Sequence, residues 1–157
     1  MNILNKAITL ASAAHDGQIY GKNIPYIVHP LEVMRSVRTE YPNDVRLAVI
    51  AVLHDVIEDT YITFAGIEKE FGIRIALAVG LLSRDEDVEY DLYIRNMCLC
   101  KSTECAMARI VKRHDLMCNM DNLESSSFSD KKKASLMKRY TKAMNSMPSK
   151  ETGRKEA

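Results

Sequence analysis

An all-α fold in a single domain is what this sequence predicts, and three observations carry the prediction. Apolar residues recur at helical spacing along most of the chain, no run alternates cleanly with period two, and the breaks fall where Gly, Pro, Asn and Ser collect. At 157 residues, 46% hydrophobic and 27% charged, the chain is long enough to bury a core without staples.

The elements follow in order. Ile3, Leu4, Ala7, Leu10, Ala11 and Ala14 mark a first helix that ends before Gly17 and Gly21. GQIYGKNIPYIVHP reads as a loop, with Pro30 suited to the first turn of the helix through LEVMRSVRTE. YPND closes that helix and opens the one that carries AVLHDVIEDT. Thr63 can cap ITFAGIEKEF, and Gly72 separates it from IRIALAVGLLS. After the acidic loop RDEDVEYD come helices through YDLYIRNMC and ECAMARIVKRHDLMCNMDNL. SSSFSD breaks the chain again, and Ser129 or Asp130 caps a last helix to about Met147. The expected domain is 1–147; the remainder, 148–157, is PSKETGRKEA, which has no periodicity and is expected to be disordered.

Charge and cysteine usage narrow the function classes. Net charge is +1, so nothing global argues for nucleic acid or membrane. Residues 1–124 hold 13 basic against 18 acidic side chains (net −5), and 125–157 hold 9 against 3 (net +6), a basic end read as a solvated face. No apolar stretch is long enough to span a bilayer and no signal-peptide pattern opens the chain, so a cytoplasmic protein is expected. Cys98, Cys100, Cys105 and Cys118 are then expected as reduced thiols, and their spacing fits no usual zinc site. A Gly-rich phosphate loop, a Ser or Cys nucleophile motif and a nucleic-acid platform are all missing.

The chemistry concentrates in AVLHDVIEDT. On one continuous helix His54, Asp55, Glu58 and Asp59 would fall within an arc of roughly 140°, flanked by Ala51, Val52, Leu53, Val56 and Ile57. Four such groups among apolar flanks would repel or lose hydration unless a cation sat between them. Imidazole nitrogen and carboxylate oxygen together suit Mn, Fe or Zn. The alternative is an exposed helix edge with paired surface charges, which the complete apolar flanks disfavour. His29 precedes Pro30 at a loop-to-helix junction that can hold a ring rigidly, and Asp115 lies on a packed helix with Asn119 one turn on.

The order H…HD…D, and more closely AAHDGQ…PYIVHPLEVM, AVLHDVIEDT and YIRN…ARIVKRHDLMCNMD, resembles the HD-domain metal phosphohydrolases, in particular the RelA/SpoT-type hydrolase domains and small alarmone hydrolases. The resemblance spans roughly residues 3–147 and implies a single HD-domain helical bundle. It implies that His29, His54, Asp55 and Asp115 hold one metal, Mn2+ by preference, and that Glu58 and Asp59 activate the attacking water. Asn119 matches an asparagine near the substrate ribose. Two positions depart from the pattern. Tyr20 stands where the family has an arginine that stacks on guanine, keeping a stacking surface but losing the guanidinium, with Lys22 able to supply charge nearby. His114 stands where the family has a small residue and reads as packing; His15 reads as a hydrogen-bonded core histidine, and Tyr26 as packing the loop onto the metal site.

The function expected from this resemblance is hydrolysis of a ribose-linked pyrophosphate or phosphate on a small nucleotide such as (p)ppGpp, with no nucleic-acid partner. The alternatives are an HD-superfamily nucleoside-monophosphate phosphatase and a nucleotide-binding module that has lost turnover.

Overall fold

In the computed structural model, which describes residues 1–20 and 23–148 (Tyr20 by its backbone alone), helices α1 (Ile3–Ala14), α2 (Val28–Glu40) and α3 (Val45–Leu53) lead into a single-turn α4 (Val56–Asp59). Then follow α5 (Phe64–Phe71), α6 (Ile73–Leu82), α7 (Tyr90–Leu99), α8 (Thr103–Leu123) and α9 (Asp130–Ser146). The fold is all-α. Side-chain caps set the entries: Asn2 Oδ1 accepts from Asn5 N, Asp44 from Arg46 N and Leu47 N, and Thr63, Ser102 and Ser129 cap α5, α8 and α9 in the same way. Gly72, at φ +86°, makes the turn from α5 into α6 that a side chain would resist.

The core is built around α3, in which every residue from Leu47 to Leu53 is buried. It packs against α1, α2, α6 and α8, so an apolar helix wrapped on all sides presents its C-terminal end to the buried polar side chains His29, His54 and Asp115. No helix among the described residues is long and apolar enough to cross a membrane.

Three expectations need correction. AVLHDVIEDT is not one helix: the ladder stops between Leu53 and Val56. His54 Nδ1 donates to Ala51 O at 2.7 Å, taking up the carbonyl that a continuous helix would offer to Asp55 N, and Asp55 sits at φ −102°, ψ −6°. Cys100 and Cys105 form a disulfide across the α7–α8 turn, in which Cys98 and Cys118 take no part. The two sulfurs are brought together because Ser102 caps α8 only three residues after α7 ends at Leu99. The loop after α1 holds a small antiparallel pair, β1 (Ile19–Tyr20) with β2 (Ile24–Pro25), registered Ile19 to Pro25 and Tyr20 to Ile24. Of the expected disordered tail only Pro148 is described, its carbonyl 3.4 Å from Arg113 Nη1; 149–157, like Lys22, lie outside the described residues.

Candidate metal centre

Four expected ligands converge from three parts of the chain. His29 comes from the first turn of α2, His54 and Asp55 from the break between α3 and α4, and Asp115 from the middle of α8. His29, His54 and Asp115 are 2%, 1% and 3% exposed. His29 Nε2 lies 3.0 Å from Asp115 Oδ1 and 3.9 Å from Asp55 Oδ2; His54 Nε2 lies 3.0 Å from Asp55 Oδ2 and 3.7 Å from Asp115 Oδ1. Donors held about 2.1 Å from one ion sit roughly 3 to 4 Å apart, so these separations suit a shared cation. The ligand atoms of His29, His54 and Asp55 lie within 4.8 Å of one another.

The protonation pattern shows that this spot calls for positive charge. Ala51 O can only accept, so His54 Nδ1 carries the hydrogen and Nε2 presents a lone pair. That lone pair is buried without a hydrogen-bond partner, yet it faces a carboxylate oxygen at 3.0 Å. Two lone pairs at that distance repel unless a proton or a metal lies between them. In the ion-free protein the proton does so. Burial disfavours the imidazolium, but Asp55 and Asp115 outweigh it and raise His54 to about 10. Burial likewise opposes the Asp55 charge, and His54 overrides it to hold that carboxyl at about 2.

Asp115 is oriented from behind. Lys112 Nζ, on the same helix, pairs with Asp115 Oδ2 at 2.8 Å, while Asn119 Nδ2 donates to Oδ1 at 2.6 Å. The Lys112 side chain is 14% exposed and lies over the Tyr93 ring. Burial works against its charge, but Asp115 raises its pKa well above the ordinary value. Asp115 is held well below the carboxylate range despite its burial, by Lys112 and the two histidines. Asn119 thus contacts a candidate ligand through its amide NH2.

Glu58 and Asp59 lie at the exposed mouth of the site. Glu58 Oε2 accepts from Arg84 N at 2.8 Å. Tyr26 OH donates to Asp55 Oδ2 at 2.7 Å and reaches Asp59 Oδ2 at 3.2 Å, so one phenol bridges a candidate ligand and a candidate base. Desolvation raises both Glu58 and Asp59, with neighbouring Asp55 adding to it. Burial and the two aspartates push the Tyr26 phenol far up, so it stays a donor.

Sequence reasoning passed over Lys112, the bridging role of Tyr26 and the Arg84 amide. The spacing of Lys112 to Asp115, one helical turn, was the available signal for the first. His15 is a core histidine as expected, its Nδ1 2.7 Å from Gln18 Oε1 and its ring against Tyr26. His114 turns away from the centre toward α2, where Nδ1 meets Ser36 Oγ at 2.8 Å and Nε2 lies 3.4 Å from Glu40.

No protein-family model matches the chain. It is 36% identical over 87 residues to the bifunctional (p)ppGpp synthase/hydrolase SpoT of Escherichia coli, covering 55% of this chain and 12% of that protein. The chloroplastic RSH1 protein of Oryza sativa is 40% identical over 76 residues, 48% of this chain and 8% of the relative. The chain therefore matches only about a tenth of the length of these curated relatives. A solved structure of a metazoan ortholog of SpoT that hydrolyses ppGpp superimposes with a TM-score of 0.83 at 20% identity, covering 97% of this chain and 89% of the other. In local sequence and in overall helical fold, the chain is RelA/SpoT hydrolase-like.

Proposed function

We propose that this protein is a divalent-metal-dependent phosphohydrolase that removes pyrophosphate from a 3′-pyrophosphorylated nucleotide of the (p)ppGpp type. The observation that carries the reading is the buried His54 Nε2, with no hydrogen-bond partner of its own, facing the partly buried Asp55 Oδ2 at 3.0 Å. The names of the relatives support the substrate class. We assign His29, His54, Asp55 and Asp115 as the metal ligands, with Mn2+ the preferred ion and Fe or Zn the alternatives.

A bound divalent ion would supply Lewis-acid polarisation of a phosphoryl oxygen and a lowered pKa for water. The chain's own groups do the rest. Glu58 and Asp59, both raised above their ordinary values by desolvation and open to the mouth, accept the proton of the attacking water. Arg84 N fixes Glu58, and Tyr26 OH fixes Asp59 relative to Asp55. Lys112 keeps Asp115 ionised with Oδ1 turned to the histidines. Tyr20 and Lys22 belong to the segment assigned to the base and phosphates, and Asn119 to the ribose side.

The test is phosphate and pyrophosphate release, with and without Mn2+, from guanosine and adenosine 3′-pyrophosphates, NADPH and nucleoside monophosphates. Metal-dependent pyrophosphate release is expected, and Glu58→Gln with Asp59→Asn should abolish it while metal stays bound. Release of inorganic phosphate alone, from monophosphates, would replace this reading with a phosphatase.

A further inference from the structure

The catalytic turn α4 is only four residues long, and its end lacks an ordinary helical partner for the Asp59 carbonyl. Thr60 turns back on the same helix, its Oγ1 donating to Val56 O at 2.6 Å, and then takes up Ile62 N. The Asp59 carbonyl is met instead from 41 residues away, by Gln18 Nε2 at 2.8 Å.

Gln18 has no freedom to turn its amide over. A carbonyl can only accept, so the end facing Asp59 O must be the NH2. The other end, Oε1, then faces His15 Nδ1 at 2.7 Å and requires a hydrogen on that nitrogen. His15 is 2% exposed and packs against the Tyr26 ring, so it cannot follow if the amide moves. The Gln18 backbone is engaged too: its N donates to His15 O, and its O accepts from Tyr26 N, both at 3.0 Å. Tyr26 in turn reaches the Asp55 and Asp59 carboxylates. Gln18 thus holds Asp59 by two routes, its carbonyl directly and its carboxylate through Tyr26. The next residue, Ile19, begins the β1–β2 hairpin.

We propose that Gln18 is a positioning residue: locked by His15, its amide ties the hairpin assigned to the substrate to the Asp59 end of the catalytic turn. Displacement of the hairpin is then transmitted to the carboxylate that accepts the proton. The assignment of Asp59 as a base rests on the proposed function above; the link between Gln18 and residues 57–62 does not.

Gln18→Glu separates the two bonds. A carboxylate still accepts from His15 Nδ1 but offers only an acceptor to the Asp59 carbonyl. In the full chain loaded with Mn2+, the expected result is a kcat at least about tenfold lower with KM within about threefold, since a misplaced catalytic group costs rate rather than binding. Mn2+ affinity by calorimetry should be unchanged. Hydrogen exchange at residues 57–62 should accelerate while α3 and α8 keep their protection. Gln18→Ala, which drops both bonds, should show the same exchange pattern. Unchanged exchange at 57–62 in both variants overturns the link, as does full kcat in an active enzyme. If the wild-type protein releases nothing from any nucleotide, the proposed function fails, and faster exchange in Gln18→Glu still supports the link.

Discussion

Replacing Asp115 with Asn in the ion-free protein tests whether Lys112 is a buried cation that depends on one partner. Asn keeps an acceptor at the Oδ1 position for His29 and Asn119, but it turns an NH2 toward Lys112 where Oδ2 stood 2.8 Å away. The ammonium is then buried without a counter-charge, which typically costs about 3 to 5 kcal/mol. A ceiling comes from the lysine itself, because it can shed its proton. At pH 7 that costs about 4.5 kcal/mol, from an ordinary pKa near 10.4. A loss of about 3 to 4.5 kcal/mol is expected, or roughly 10 °C in Tm for a chain of this size. The sign of the pH dependence is specific. In the wild type Lys112 is raised, so its stabilisation is complete below the ordinary value of 10.5 and lost only above it. In the variant the folded Lys112 falls below that value, the unfolded chain binds more protons, and stability rises with pH. The ceiling drops to about 1 kcal/mol at pH 9.5, so the gap to wild type should narrow there. His54 acts in the same direction, since its raised value near 10 owes part of its support to Asp115. Denaturant melts with a chelator present, at pH 7 and 9.5, measure both effects. A variant as stable as wild type, or a gap that ignores pH, would refute a charged, buried Lys112.

Tyr26→Phe removes the hydroxyl shared by Asp55 and Asp59 while keeping the ring against His15; metal stoichiometry should persist and kcat fall on the order of tenfold, measured by calorimetry and turnover. Arg109 is 6% exposed and donates to Met97 O and Cys100 O at 2.8 Å, closing the carbonyl end of α7. Arg109→Met should therefore cost about 2 to 3 kcal/mol in a denaturant melt. Because desolvation raises Glu58 and Asp59, the acid limb of kcat/KM should lie above their ordinary values of 4.5 and 3.8, with activity lost as pH falls through it. A limb at or below those values would remove them as the proton acceptors.

Much of the helical order could be read directly, because the signals were local: Thr63, Gly72 and Ser129 cap or break helices where their side chains and backbone demand it. The break at His54 and Asp55 could not. Nothing in AVLHDVIED is a Gly or Pro breaker, and the interruption comes from an imidazole bonding backward and a carboxylate turning to Tyr26 and to His29 of α2, which are tertiary facts. The convergence of His29, His54, Asp55 and Asp115 was legible through motif resemblance. Lys112 and Arg109 were not, since a basic residue on an amphipathic helix reads as surface until its burial is known. The Cys100–Cys105 bond was missed because compartment, not distance, governed the expectation.

The pairing of Lys112 with Asp115 also sets the order in which the site can fill. With Asp55 and Asp115 ionised and Lys112 and His54 protonated, the buried groups balance to zero. Exchange of the His54 proton for a divalent ion leaves one positive charge in excess, and Lys112 is the reason the carboxylates cannot absorb it. With the Glu58 and Asp59 carboxylates at the mouth counted, an anionic phosphate meets a clearly negative approach before the ion arrives and a less negative one after, so under the proposed function the favoured order is metal first and nucleotide second.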